Sequence, residues 1–165
     1  MERGMDELLE QAERVAAILK ARGETISVAE SSTGGLISAA LLSVGGASAY
    51  FVGGAVVYTR TARASLMDIT REDMVNMRPS TPAYASLIAE RIKVQNATVW
   101  GVGESGATGP AGNGYGDAAG HCCIGLAGPR HATITLETGH GDRRRNMFEF
   151  ARRALELVQA EVALA

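Results

Sequence analysis

The run Val28-Ala29-Glu30-Ser31-Ser32-Thr33-Gly34-Gly35 sets three consecutive hydroxyl side chains between a carboxylate and a pair of glycines. Its first residues are short, partly β-branched and alternating, and the apolar stretch Leu36-Ile37-Ser38-Ala39-Ala40-Leu41-Leu42 follows it. That is the pattern of a strand, a turn and a buried helix. The first amides of a helix have no intrahelical partners and sit at the positive end of its dipole, so the turn predicts an anion site. Ser31, Ser32 and Thr33 add hydroxyl donors, while Gly34 and Gly35 let a ligand approach the backbone. Capping a helix needs only one such side chain. The surplus favours one wall of a small-molecule site, with an anionic nucleotide as the expected ligand. No lysine follows the glycines and the spacing is not GxGxxG, which separates the turn from both common phosphate-binding fingerprints.

Two further stretches carry polar chemistry. Residues 103–120 read as a glycine-rich loop after a strand, with Ser105 just past the strand end; loops this long inside compact domains are usually functional or disordered. Asp142-Arg143-Arg144-Arg145 opens a helix, where three arginines oppose the dipole and an anionic partner would offset them. The adjacent Cys122 and Cys123 read as reduced thiols on a half-buried strand, because a vicinal disulfide is strained. His121, His131 and His140 are scattered and no Cys/His spacing suits a metal, so no metal is expected.

These residues need elements to hold them. Residues 6–22 place Leu8, Leu9, Ala12, Val15, Ala16, Ile18 and Leu19 at helical spacing, with Gly23 as the stop. Residues 25–29, 49–58 and 97–102 read as strands, the second with a bulge or close backbone approach at Gly53-Gly54. Residues 61–67 predict a short helix, and a longer one starts at Ser80-Thr81-Pro82 with Ser80 as N-cap and Ala85, Leu87, Ile88 and Ile92 on its buried side. Residues 121–127 and 132–138 form a predicted hairpin through Gly128-Pro129-Arg130, and Asp142 caps a final helix. Helices and strands alternate through the first 102 residues before the hairpin. The expected fold is therefore one domain over 1–165, a three-layer α/β/α sandwich with a mainly parallel, mixed sheet. Ligands in such sheets sit at the carboxyl ends of the strands, where the loops after residues 29, 58 and 102 would meet.

Composition narrows the partners. The chain has 165 residues and a formal net charge of −2, which gives no broad basic surface for a nucleic-acid backbone. No charged residue occurs between Glu30 and Arg60, yet glycine pairs and serines break that stretch into pieces shorter than the ~20 apolar residues of a membrane span. The first residues hold no apolar segment of the secretory type, so a cytoplasmic address is expected.

Taken together the motifs resemble the CinA C-terminal domain family, the nicotinamide mononucleotide deamidases, over essentially the whole chain. Ala29-Glu30-Ser31-Ser32-Thr33-Gly34-Gly35 is similar to that family's AESCTGG, and Gly46-Ala47-Ser48 to its PGSS turn. Val57-Tyr58 looks like the start of its VxYSNxAK segment, Ser105-Gly106-Ala107-Thr108-Gly109-Pro110 like its TGIAGP loop, and Gly141-Asp142-Arg143 like its GDR. Five motifs in order are more specific than any one. The resemblance implies hydrolysis of the carboxamide of nicotinamide mononucleotide to nicotinic acid mononucleotide and ammonia, with no cofactor, and allows a homo-oligomer.

Such hydrolysis through an acyl-enzyme needs a hydroxyl nucleophile, a base and oxyanion donors. Ser31 or Ser48 would be the nucleophile, and amides near Gly34, Gly46 or Gly106 would hold the oxyanion. Ser105 would orient the amide, with Arg143 or the helix end at Thr33 on the 5′-phosphate. The family segment ends in lysine, whereas this one ends in Arg63, a guanidinium that stays protonated and only donates. Three readings follow: Tyr58 or Glu30 serves as base and the chain is an amidase; the pocket binds a nucleotide without chemistry, with Arg63 as an anion clamp; or the chain is a structural or regulatory partner of other proteins.

Overall fold

The computed structural model describes residues 2–165. Met1, which belongs to the domain expected over 1–165, lies outside the described residues. The chain opens with α1 (Glu2–Arg22), whose Leu8, Ala12, Val15, Ala16 and Leu19 are buried along one stripe. It continues through β1 (Ile26–Glu30), α2 (Leu36–Ser43), a single 3-10 turn (Ala47–Ala49), β2 (Phe51–Val56) and α3 (Arg60–Met67). Then come α4 (Pro82–Asn96), β3 (Trp100–Ala107), the hairpin of β4 (His121–Ala127) and β5 (Ala132–Glu137), and α5 (Arg143–Ala163).

The five strands form one sheet in the order β2-β1-β3-β4-β5. β1 pairs parallel with β2 and β3, and β4 pairs antiparallel with β3 and β5. Only β4 therefore runs against the others, and the sheet has a defined carboxyl edge. The bulge expected near Gly53-Gly54 is present: the register slips between Ile26 and Ser27, so that Ile26 faces Phe51 and Ser27 faces Gly53. Helices α1, α2 and α5 pack together over one face, on Val28, Trp100, Val102 and Ile124. Helix α4 covers the other face, where Tyr84, Ile88 and Ile92 meet Ala29, Val57 and Met67. This is the α/β/α arrangement with a mixed sheet.

Four local expectations are corrected. The strand expected over 49–58 is shorter, because residues 47–49 form the 3-10 turn. The N-cap of α4 is Thr81, whose side chain accepts from the Tyr84 amide, and not Ser80, which sits in the left-handed region at φ 59°. The two cysteines lie on a strand buried along its whole length rather than half-buried. The largest correction concerns residues 103–120: β3 runs on to Ala107 and pairs with β4, Gly106 against Cys122, so Glu104 and Ser105 belong to a central strand.

Glycines along β3 serve close packing against α4. A Cβ at Gly101 would lie 2.1 Å from the Ala89 carbonyl oxygen, and one at Gly103 would lie 2.1 Å from that of Ala85. Both obstacles are backbone of α4, which cannot rotate away as a side chain can. Gly103→Ala is therefore expected to push α4 off the sheet and to cost about 1–3 kcal/mol or more, as overpacked cores do. A thermal melt checks this, and an unchanged midpoint would contradict the packing argument.

Candidate functional site

The turn after β1 is built around two carboxylates from the chain itself. Glu30 ends β1 fully buried and accepts from the Ile37 and Ser38 amides at 3.1 and 3.0 Å, and from the Ser38 hydroxyl at 2.7 Å. Helix α2 begins after Gly35, a left-handed residue at φ 102° with no side-chain cap. Glu30 takes the place of a cap and of an external anion at this helix end.

Glu104, in the middle of β3, reaches the same turn from the neighbouring strand. Its Oε2 accepts from the Ser31 amide at 2.9 Å, the Thr33 amide at 3.1 Å and the Thr33 hydroxyl at 2.9 Å, and its Oε1 accepts from the Ser32 hydroxyl. Burial pushes the Glu104 carboxyl above its ordinary pKa, against the pull of these donors. The Thr33 hydroxyl stands 2.6 Å from Glu30 Oε2 and 2.9 Å from Glu104 Oε2. The thiol of Cys122, 3.5 Å from Glu104, is pushed well above the usual thiol range by burial and by that carboxylate, so it is an inert neighbour.

The turn therefore differs from the sequence expectation in one respect. Ser31 and Thr33 spend their amides on Glu104, and the first amides of α2 go to Glu30, so the N–H groups expected for a ligand are satisfied internally. Of the three hydroxyl residues of the turn, only Ser31 reaches outward, half-buried, while Ser32 and Thr33 are buried. Ser31 lines a cavity of about 330 Å³ at the carboxyl edge of the sheet.

Besides Ser31, the walls of that cavity come from the end of β2, from α3, from the start of α4, from the end of β3 and from Asn113 and Tyr115. Tyr58 follows β2, Arg63 comes from α3, Ser80 and Tyr84 from the start of α4, and Ser105 and Gly106 from the end of β3. Thr59 caps α3 by accepting from the Ala62 amide at 3.1 Å, which sets the helix that carries Arg63. The Arg63 guanidinium lies 5.9 Å from the Tyr84 ring centre. The Ser105 hydroxyl accepts from the Ser80 amide at 3.1 Å. Arg143, at the start of α5, donates to the Gly109 carbonyl at 2.7 Å and to the Tyr58 hydroxyl at 3.4 Å, which places it at the rim. Burial pushes the Tyr84 phenol above its ordinary value, so that ring serves as a neutral wall.

Of the residues singled out in the sequence, Ser31, Tyr58, Arg63, Ser105 and Gly106 line one cavity, with Arg143 in contact with Tyr58. Glu30 and Thr33 are fully buried behind the turn, and Gly34 and Gly35 shape it. Ser48 and Gly46 are elsewhere. The turn that holds them precedes β2, and β2 runs parallel to β1, so they lie at the amino edge of the sheet. Five residues of strand, about 17 Å, separate that edge from Ser31. Lys20 donates to the Gly45 carbonyl at that far edge, and Lys93 pairs with Glu90 at 2.8 Å, so neither lysine lines the cavity.

Sequence reasoning missed Glu104, Ser80, Tyr84 and Tyr115, the last of which also lines the cavity. A signal for Glu104 existed. Trp100, Val102 and Glu104 alternate with Gly101, Gly103 and Ser105, and that period of two marks a strand with a large-residue face and a small-residue face.

The outer wall is pinned by an ion pair. Arg78 donates to both oxygens of Asp117 at 2.6 and 3.0 Å, Asn113 donates to Asp117 at 2.8 Å, and the Arg78 guanidinium lies 5.5 Å from the Tyr115 ring centre. Hydrogen bonding from Arg78, with smaller help from Asn113 and His121, outweighs burial and holds the Asp117 carboxyl down at about 2. A folded-state pKa below the ordinary carboxylate value means stability that is present above the unfolded pKa and lost as pH falls. Melting temperature is thus expected to drop between about pH 4 and pH 2 partly through Asp117. In Asp117→Asn that part of the drop should vanish; an acid limb identical to that of the unsubstituted chain would refute the assignment.

Comparison with known proteins places this geometry. The model of the CinA C-terminal domain matches residues 9–162. CinA-like proteins of Nostoc sp. and Acidobacterium capsulatum are 35% and 33% identical over 130 and 153 residues, covering 79% and 93% of this chain. The chain spans 31% and 36% of the length of those two relatives. A CinA superfamily protein from Klebsiella pneumoniae superposes with a TM-score of 0.89 at 24% identity, covering 96% of this chain and 99% of that one. The competence/damage inducible protein CihA from Agrobacterium tumefaciens gives 0.83 at 25% identity, covering 93% and 94%. Among the described residues no helix is long and apolar enough to cross a membrane, and no three His, Cys, Asp or Glu side chains are grouped to hold a metal ion. With its motifs gathered on the CinA fold and the family model matched over nearly its full length, the chain belongs to the CinA C-terminal domain family.

Proposed function

We propose that this chain is an amidohydrolase of the nicotinamide-nucleotide type, converting nicotinamide mononucleotide to nicotinic acid mononucleotide and ammonia at the Ser31 cavity, in the cytoplasm. The observation that carries the reading is the convergence of Ser31, Tyr58, Arg63 and Ser105 on one cavity at the carboxyl edge of the sheet. Within one chain Ser31 is the nucleophile, because Ser48 lies at the other edge. Glu30 is spent on α2, so Tyr58 is the group that takes the proton.

Ser31 Oγ attacks the carboxamide carbon while the Tyr58 hydroxyl takes the serine proton and hands its own to the amide nitrogen, so that the phenol stays neutral throughout. The oxyanion is held by Arg63, which only donates, and by the Ser105 hydroxyl. Collapse breaks the C–N bond and releases ammonia, and water then cleaves the Ser31 ester by the same relay. Arg143 stands at the rim for the 5′-phosphate.

Arg63 in place of lysine makes binding without turnover the second reading, since a guanidinium is a good anion clamp and a poor proton acceptor. Arg63→Lys separates the two. If the site is catalytic, ammonia release from nicotinamide mononucleotide should rise, by roughly tenfold or more given the usual worth of a general base. Nucleotide binding by calorimetry with no ammonia from either form would select the binding reading. Neither binding nor ammonia would exclude both.

A further inference from the structure

The Ser31 cavity adjoins a larger cleft of about 860 Å³, and Arg60, Arg63, Pro79 and Tyr115 line both. The cleft lies between α3 and the turn-rich segment that leads to α4. Its charge is one-sided. Arg78 is taken by Asp117, whereas Arg60, Arg63 and Arg71 form no ion pair among the described residues. The chain as a whole is slightly acidic, so three unpaired guanidinium groups around one hollow are a local concentration of positive charge. Two of them, Arg60 and Arg63, stand where the small cavity meets the large one.

The floor is of another kind. Ile69, Met74 and Met77 present apolar surface that continues into the core under α4. Thioether side chains adapt to flat aromatic ligands and make favourable contacts with ring edges. A hollow with anion-binding arginines at its mouth and a thioether floor beyond them fits a phosphate followed by a base. A mononucleotide seated in the 330 Å³ cavity would leave that whole hollow to solvent.

Building on the nucleotide reading of the Ser31 cavity, we infer that the chain takes dinucleotides: the pyridine half in the small cavity with Arg63 at its carboxamide, the diphosphate passing from the Arg143 rim to Arg60 at the junction, and the second nucleoside on Met74 and Met77 beside Arg71. Guanidinium forks suit the diphosphate because each meets two oxygens at once. Arg71 and Met74 lie only in the cleft, so changing them tests the second half of the ligand without touching the first.

The experiment is calorimetric titration of the full chain with nicotinamide mononucleotide, oxidised nicotinamide adenine dinucleotide and inorganic pyrophosphate. The dinucleotide is expected to bind at least about tenfold tighter than the mononucleotide. Arg71→Ala and Met74→Glu, each checked for an unchanged melt, should bring the two to parity while leaving mononucleotide affinity as it was. Mononucleotide binding with no dinucleotide preference would overturn this inference and leave the cavity reading intact, as would a preference that survives both substitutions. Pyrophosphate binding as tightly as the dinucleotide would reduce the cleft to a bare anion site and overturn the inference too. Failure of every nucleotide to bind would sink the cavity reading and this one with it.

Discussion

Ser31→Ala is expected to abolish ammonia release, lowering kcat by on the order of 10³-fold or more while nucleotide binding persists, as for removal of a covalent nucleophile. The separation of the two effects rests on how Ser31 is held. Its amide, not its hydroxyl, is the group bonded to Glu104, so the turn keeps its shape when the hydroxyl is lost. The melting temperature should stay within a degree or two, because a surface-facing hydroxyl without a buried partner contributes little. Ser48→Ala is the matched control: its side chain is exposed at the opposite edge of the sheet and its loss should leave turnover as it was. If Ser31→Ala kept turnover, or Ser48→Ala lost it, the single-chain site would be wrong.

Glu104→Ala is the change with the largest expected effect on stability. The carboxylate is fully buried and receives two amides and two hydroxyls from the turn. Removing it strands those donors away from water and opens a cavity beside Cys122. Each stranded group costs about 1–3 kcal/mol, with partial relief as the turn relaxes, so a total near 3–5 kcal/mol is expected. For a domain of this size that lowers the midpoint by on the order of 10 °C. Activity should fall with it even below the melt, because the Ser31 amide loses its anchor. Glu104→Gln tests the charge separately from the volume. It keeps the shape, and since burial already favours the neutral acid, it should cost clearly less than alanine. A Gln variant as unstable as the Ala variant would show that the ionised carboxylate is required after all.

Much of the fold was readable from the chain because its signals are local. The period of α1, the β-branched residues of β1, the Gly128-Pro129-Arg130 turn and Asp142 at the head of α5 each report on neighbours within a few positions. The family motifs are equally local: they singled out Ser31, Tyr58, Arg63 and Ser105, which the fold brings to one cavity, and Ser48, which it does not. The largest misreading has a tertiary cause. Gly103 looks like the start of a loop to any local rule, yet it is glycine because α4, eighteen residues earlier, lies against it. Once that glycine is misread, Glu104 disappears into a loop. Ser80 and Thr81 are neighbours with similar capping chemistry, and only the backbone angles choose between them.

The turn at residues 31–35 shows the division most clearly. Its hydroxyls, its glycines and its place between a strand and a helix follow from the sequence alone, since they depend on residue type and spacing. Which anion its amides bind does not, because the answer is a side chain more than 70 positions away on a strand that lies alongside only after the sheet has formed. The same holds for Ser31 against Ser48: seventeen positions apart in the chain, they are sent to opposite edges by a parallel crossover. Residue chemistry determined what the site is made of, and sheet topology decided which of those residues meet.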